Sequence, residues 1–149
     1  MAVKSIPEGS HSVTPTLVVT NADKFIDFVK QVFRASEPGR RFMTPDGKIM
    51  HATVKIGDST IMLSDVMGGM EPTRAGLFVY TEDVDEAYSR ALKLGAKSVQ
   101  KLADQFWGDR AGAVADPFGN FWWIAKHIED VSPEEAERRG REMMRQAQH

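Results

Sequence analysis

Laid against itself with an offset of 62 residues, this 149-residue chain repeats its own order of structural signals, so it must be built from two similar units rather than from one continuous sheet. Asp23 falls on Asp85, Ser36 on Ser98, Gly57 on Gly119 and Asp58 on Asn120. These identities are few. Their weight is that one constant offset sets strand on strand, helix on helix and turn on turn.

In the first unit, residues 16–20 (TLVVT) form a β-branched run, and Asn21 follows as a helix N-cap. Phe25, Ile26, Phe28, Val29, Val32 and Phe33 then recur with helical spacing. Pro38-Gly39 and Pro45-Asp46-Gly47-Lys48 punctuate predicted strands at 40–44 and 49–56, and Gly57-Asp58 turns into another at 59–64. The second unit opens with a strand at 76–81. Asp83 then starts a helix with Val84, Ala87, Tyr88, Ala91 and Leu92 on one side, closed by Gly95. Strands at 97–102, 109–115 and 120–126 complete it. The expected fold class is therefore α+β, two tandem βαβββ units with curved mixed sheets around a cavity, plus a C-terminal helix. The expected division is an arm at 1–12, units at 13–66 and 75–127, a Gly/Pro linker at 67–74, and a tail at 128–149. In that tail Ser132-Pro133-Glu134-Glu135 reads as a capping box opening a charged helix at 133–146.

Within the second unit the segment KLADQFWGDRAGAVADPFGNFWWIAK, residues 101–126, holds all three tryptophans. Asp116-Pro117-Phe118-Gly119-Asn120 marks a turn, because proline presets φ and glycine accepts a positive one. On the strand that follows, Phe121, Trp123 and Ala125 share one face and Trp122 and Ile124 the other. Both faces are expected to be covered, one by a helix and one by a small-molecule cavity. Phe78, Tyr80, Phe121 and Trp123 fall on the cavity side by parity, with Trp107 in the preceding turn. They read either as plain core or as a stacking surface for a planar or apolar guest.

Charge and composition narrow the partners. A net charge of −2 offers no basic field for nucleic acid, and no apolar run is long enough to span a membrane. With no cysteine, thiol chemistry and Cys-ligated zinc are excluded, which suits a cytoplasmic protein. No glycine-rich phosphate loop, G-x-S-x-G or H-E-x-x-H occurs.

Three segments, PDGKIMHATVKIGDSTIMLSD, YTEDVDEAYSRALKLGAK and DQFWGDRAGAVADPFGNFWWIAKHIEDVSPEE, resemble the vicinal oxygen chelate superfamily of glyoxalases, bleomycin-resistance proteins and extradiol dioxygenases, and within it the PhnB-like branch. The resemblance covers roughly residues 13–140. It implies a divalent-metal site in members that do metal chemistry, with one ligand from the first and one from the last strand of each unit. Carried onto this sequence, those positions are Phe78 and Trp123 and, by the 62-residue offset, Thr16 and Ile61. None is a strong ligand, and neither are the neighbours Pro15, Leu17, Thr60, Met62, Leu77, Val79, Trp122 and Ile124. No metal is expected there, and no cofactor.

The polar candidates are sparse. His149 ends the chain, His11 lies in the arm and His127 falls just past the last predicted strand, which leaves His51 as the one strand histidine. Parity places His51, Thr53 and Lys55 on the cavity side and Met50, Ala52, Val54 and Ile56 toward the helix. His51 is either a hydrogen-bonded structural group or a ligand-facing donor or base. Asp109 and Arg110 either polarise a ligand or pair with each other across the turn, and Glu82 and Asp83 mark a helix start, Glu82 near the cavity rim. The expected binding set is His51, Thr53, Phe78, Tyr80, Gln105, Trp107, Asp109 and Trp123, for a small aromatic or apolar molecule bound without chemistry. The alternative is an enzyme of lyase, isomerase or dioxygenase type, using a displaced metal or His51 with Gln105 or Asp109 as acid and base. A homodimer is expected, because apolar sheet edges need cover.

Overall fold

A computed structural model describes residues 2–148. The chain divides into two compact units, Met1–Ala75 and Gly76–His149. The first contains β1 (Thr16–Val19), α1 (Ala22–Phe33), β2 (Phe42–Met43), β3 (Ile49–Ile56) and β4 (Ser59–Asp65). The second contains β5 (Gly76–Tyr80), α2 (Val84–Lys93), β6 (Lys97–Asp104), β7 (Asp109–Ala115), β8 (Phe121–His127) and α3 (Pro133–Ala147). Each unit forms one four-stranded mixed sheet, ordered β1-β4-β3-β2 and β5-β8-β7-β6, in which the first strand runs parallel to the last. This is the βαβββ repeat read from the sequence.

Asn21 caps α1 by accepting the Lys24 N–H at 3.3 Å, and Asp65, at the end of β4, accepts both Ala22 N–H and Ile49 N–H at 2.7 Å. One carboxylate thus ties helix start to sheet. Phe25, Ile26, Val29 and Val32 bury completely against a sheet face made of Leu17, Val19, Ala52, Val54, Ile61 and Leu63. In the second unit the buried residues of α2 are Val84, Ala87 and Ala91, and the wide Trp122 supplies bulk on the sheet face that the helix covers. Gly112 on the same face leaves room for Tyr88: a Cβ there would lie 2.7 Å from the tyrosine ring and 2.9 Å from Leu102 Cα. At α3, Ser132 accepts the Glu135 N–H at 3.1 Å, but the Glu135 carboxylate turns to Arg138 and Arg139 rather than back to the cap.

Four expectations are corrected. The strand predicted at 40–44 is only Phe42–Met43, because Arg41 is drawn off to Glu37 and Asp23 at 2.7 and 2.6 Å. Met50 does not meet the helix: the register slips between Phe42 and Met43, so Ile49 is buried and Met50 is exposed. Asp83 sits at the α2 N-cap without a capping bond, its carboxylate held instead by Thr81 and Arg90. Finally, the offset of 62 fails on the last strand. Thr16 pairs with Met62 whereas Phe78 pairs with Trp123, so β8 is displaced from β4 by 61. The cause lies before the last hairpin: Thr53 faces Met62 and Ala113 faces Trp123, so first strand to third is 37 residues in one unit (16 to 53) and 35 in the other (78 to 113), and the longer β7–β8 turn restores only one of the two. Ile61 therefore corresponds to Trp122, buried on the helix side, and Met62 takes the place opposite Thr16 that Trp123 takes opposite Phe78.

Candidate functional site

The second unit turns one sheet face to its helix and presents the other as an aromatic surface. Trp122 and Ile124 are completely buried, while Phe121 and Trp123 are half-buried, Phe78 is 45% and Tyr80 60% exposed. So the two faces of β8 are not equally covered. Because β5 runs parallel beside β8, Phe78 lies next to Trp123, their rings stacked at 5.9 Å. Tyr80 tilts against Phe78 at 5.1 Å, and Trp107 and Phe121 meet Trp123 edge-on at 5.9 and 6.3 Å. Edge-on and offset contacts are the preferred aromatic geometries, so the cluster is self-supporting while its outer rings stay in contact with solvent.

What holds its polar edges is Asp109. This carboxylate is 1% exposed and accepts from three side chains: the Tyr80 hydroxyl at 2.9 Å, the Trp107 indole N–H at 2.8 Å and His127 Nδ1 at 2.8 Å. Burial works to raise the Asp109 carboxyl, but the bonds from His127, Trp107 and Tyr80 outweigh it and keep the group ionised below its ordinary range. His127 is bracketed, since its Nε2 meets Asp130 at 2.7 Å, and Asp130 together with Asp109 holds the imidazole protonated above its usual value. Tyr80 is pushed up by burial and then by its hydrogen bond to Asp109.

The backbone explains how these groups meet. Gln105 and Asp109 close the β6–β7 turn, with Gln105 N–H on Asp109 O at 2.7 Å and the Gln105 side chain spent on Ala111 O at 3.0 Å. Gly108 takes φ +103°, and its carbonyl accepts Ile128 N–H and Glu129 N–H at 2.9 and 3.0 Å. A Cβ at Gly108 would lie 2.2 Å from Glu129 O, so only glycine lets the segment after β8 come this close. That stitch continues the β7–β8 pairing, whose register sets His127 opposite Asp109. An open cleft of about 410 Å³, lined by Tyr80, Thr81, Glu82, Lys126 and His127, lies at this end of the aromatic face.

Among the sequence candidates, the structure brings Phe78, Tyr80, Trp107, Asp109 and Trp123 together, with Glu82 at the rim of the cleft. Gln105 is a turn brace. His51 and Thr53 lie in the first unit, where His51 Nε2 stands 3.4 Å from Thr53 Oγ1 and the His51 ring 6.0 Å from Phe42. Asp109 does not pair with Arg110, which instead holds Asp85 and Asp104 at 2.8 and 3.1 Å because adjacent strand residues point to opposite faces. His127, placed beyond the last strand by the sequence reading, is the last residue of β8 and pairs in register with Asp109. The signal available for it was the parity of Asp109 and the length of the hairpin.

The metal positions implied by the resemblance can be tested unit by unit. Thr16 and Met62 in the first, and Phe78 and Trp123 in the second, offer a hydroxyl, a thioether and two rings, which is no donor set for a divalent ion. Among the described residues no group of three or more His, Asp or Glu side chains is disposed to hold one, and no helix is long and apolar enough to cross a membrane.

Residues 11–124 match the family model described as Glyoxalase/Bleomycin resistance protein/Dioxygenase superfamily. An uncharacterized protein of Mycobacterium bovis is 42% identical over 135 residues, covering 83% of this chain and 88% of its own length. The crystal structure of TioX from Micromonospora sp. ML1 is similar with a TM-score of 0.64 at 28% identity, covering 80% of this chain and all of that one. The PhnB protein from Bacillus cereus shares the fold with a TM-score of 0.60 at 16% identity, over 78% of this chain and 99% of its own.

Proposed function

We propose, from the premise that this chain belongs to the Glyoxalase/Bleomycin resistance protein/Dioxygenase superfamily, that it is a small-molecule-binding protein whose aromatic face receives a planar aromatic or apolar guest without breaking a bond in it. The observation that carries this reading is the exposure of the ring cluster. Phe78 and Tyr80 stay open to solvent although the same sheet buries Trp122 and Ile124 entirely. A cluster serving only as core would be covered, whereas an exposed aromatic patch beside a cleft is the usual form of a binding site. The replacement of ligand types at Thr16, Met62, Phe78 and Trp123 supports a binding role in place of metal chemistry. The motif running from Asp104 through the residue 132–135 capping segment supports a place in the PhnB-like branch.

We assign the protein to the cytoplasm, on its lack of cysteine, and to a homodimer, on its exposed edge residues Phe42, Met43 and Val99. Light scattering at micromolar concentration should give twice the chain mass, and a monomer throughout would remove the dimer. The test of function is metal analysis of protein purified without chelator, joined to a tryptophan-fluorescence screen of aromatic compounds. The expected result is no stoichiometric metal and saturable quenching by at least one aromatic class. Trp123→Ala should weaken that binding several-fold, since one ring contact is worth about 0.5 to 1.5 kcal/mol. A tight metal on the strands of Thr16 and Phe78 would overturn the reading, and one held by His51 would favour an enzyme in its place.

A further inference from the structure

We propose that Asp109 and His127 form a clamp that positions Tyr80 and Trp107 on the aromatic face, so that occupation of the face depends on the proton carried by His127. The proposal rests on the binding role argued above, but its central readout needs no guest.

Asp109 is almost fully buried and spends its two oxygens on three donors from three different places in the chain. Tyr80 comes from β5 and Trp107 from the β6–β7 turn, both on Oδ2, while His127 from the end of β8 takes Oδ1. The two Oδ2 partners are the rings at the borders of the cluster: Trp107 stands edge-on to Trp123 and Tyr80 leans on Phe78. Fixing their polar tips on one atom fixes their ring planes. It also spends the only donor of each, the single O–H and the single N–H, so a guest meets rings there and not hydrogen-bond donors. Asp109 is thus a positioning residue, and it selects for ring area.

His127 supplies the counter-charge. It lies half in solvent, with Asp109 on β7 against one nitrogen and Asp130 of its own segment against the other. Glu82, Lys126 and the Tyr80 hydroxyl are the other titratable groups lining the same cleft. When protonated, both ring nitrogens donate. Once the proton on Nε2 is lost, that nitrogen is an acceptor facing the Asp130 carboxylate, and Asp109 is left as a buried anion held by neutral donors alone. The cheapest relief is to admit water to Asp109, which loosens the Tyr80 and Trp107 tips. The sign follows: the imidazole is held protonated in the folded chain, so the clamp is complete below the ordinary histidine range and weakens as pH rises through the higher folded value.

The experiment is a pH titration of the tryptophan indole N–H resonances in ¹⁵N-labelled protein between about pH 5.5 and 9, where a histidine changes charge. The Trp107 resonance should move with the midpoint of the His127 ring. That of Trp122, whose N–H is held by Asp116 at 2.8 Å, should stay still and serves as the internal control. His127→Gln should abolish the Trp107 shift, and the exposed Asp130→Asn should move its midpoint to lower pH without disturbing the fold. Asp109→Asn, which sets an amide donor against indole and hydroxyl donors, should displace the Trp107 resonance at every pH. A Trp107 shift that survives His127→Gln, or a midpoint unmoved by Asp130→Asn, overturns the clamp. Where a guest from the screen is in hand, its affinity should fall several-fold across the same midpoint in the wild type and be flat in His127→Gln. If the resonances behave as stated and no aromatic compound binds, the clamp stands and the binding role falls.

Discussion

Replacing Trp122 and Trp123 by alanine in turn asks whether the two faces of β8 differ as the structure says. Trp122 is fully buried and its indole N–H is held by Asp116 Oδ2 at 2.8 Å. Removing it empties the space under the small residues Ala87 and Ala91, and large-to-small changes of this kind cost about 3 to 5 kcal/mol. Asp116 loses one of three donors but keeps Phe118 N–H and Asn120 N–H at 2.8 and 2.9 Å, so the turn itself should hold. Trp123 is half-buried and its ring touches Phe78, Trp107 and Phe121. Its loss removes one stacked and two edge contacts, but leaves a gap open to water rather than a sealed cavity. A cost of roughly 1 to 2.5 kcal/mol follows from contacts of about 0.5 to 1.5 kcal/mol each that do not add fully. Urea denaturation at equal m-value should therefore place Trp122→Ala below Trp123→Ala by at least about 0.5 kcal/mol, and by about 2 kcal/mol at the middle of the two ranges. If Trp123→Ala proves as damaging as Trp122→Ala, the aromatic face is core and the binding argument collapses.

Other outcomes follow from single contacts. Gly112→Ala should cost about 1 to 3 kcal/mol in a melting experiment, because two of its three close neighbours are Leu102 backbone atoms that cannot step aside; an unchanged melting temperature would show that β6 gives way. Asp65→Ala strands the Ala22 and Ile49 amides and should cost about 1 to 3 kcal/mol per uncompensated donor, read from denaturation curves, with hydrogen exchange at those amides rising first. Acid should release the second unit's site by protonating Asp109: its carboxyl is lowered on folding, so its contribution is complete above the unfolded carboxylate value and disappears as pH falls through the folded one. Loss of Trp107 order in acid that moves to higher pH in His127→Gln, which removes a bond that lowers the Asp109 carboxyl, would verify this, and an unmoved midpoint would not.

Much of the fold was readable because its signals are local. The Asp116–Asn120 turn, the Asn21 and Ser132 caps and the helical spacing of Phe25, Ile26, Val29 and Val32 each depend on a few neighbouring residues. Register is not local. The 62-residue offset aligned β1 with β5 and α1 with α2, yet the second unit is shorter between β5 and β7 than the turn after β7 makes up, so the last strand moves by one residue and Ile61 turns inward, which no constant offset can reveal. The aromatic set at Phe78, Tyr80 and Trp123 was readable from strand parity alone. The partners of Asp109 were not, since Tyr80 reaches it from β5 and His127 from the end of β8, contacts set by strand register and not by neighbours in sequence. Arg110 was misassigned for the opposite reason: adjacency in sequence suggested a pair that strand alternation forbids.

The parallel pairing of first with last strand in each unit bears on how the chain acquires its structure during synthesis. The β3–β4 and β7–β8 hairpins close between near neighbours and can form as soon as they emerge. Strand β1 has to wait until β4 has been made, and β5 until β8, because among the described residues the strands they pair with come last in each unit. During that interval Leu17 and Val19, and later Leu77 and Val79, are apolar strand faces without a partner, the condition under which nascent chains misassociate. Holding the emerged chain just short of residue 59 or residue 121 would lengthen that exposure, whereas holding it once residues 67–74 have emerged would leave the first sheet able to close.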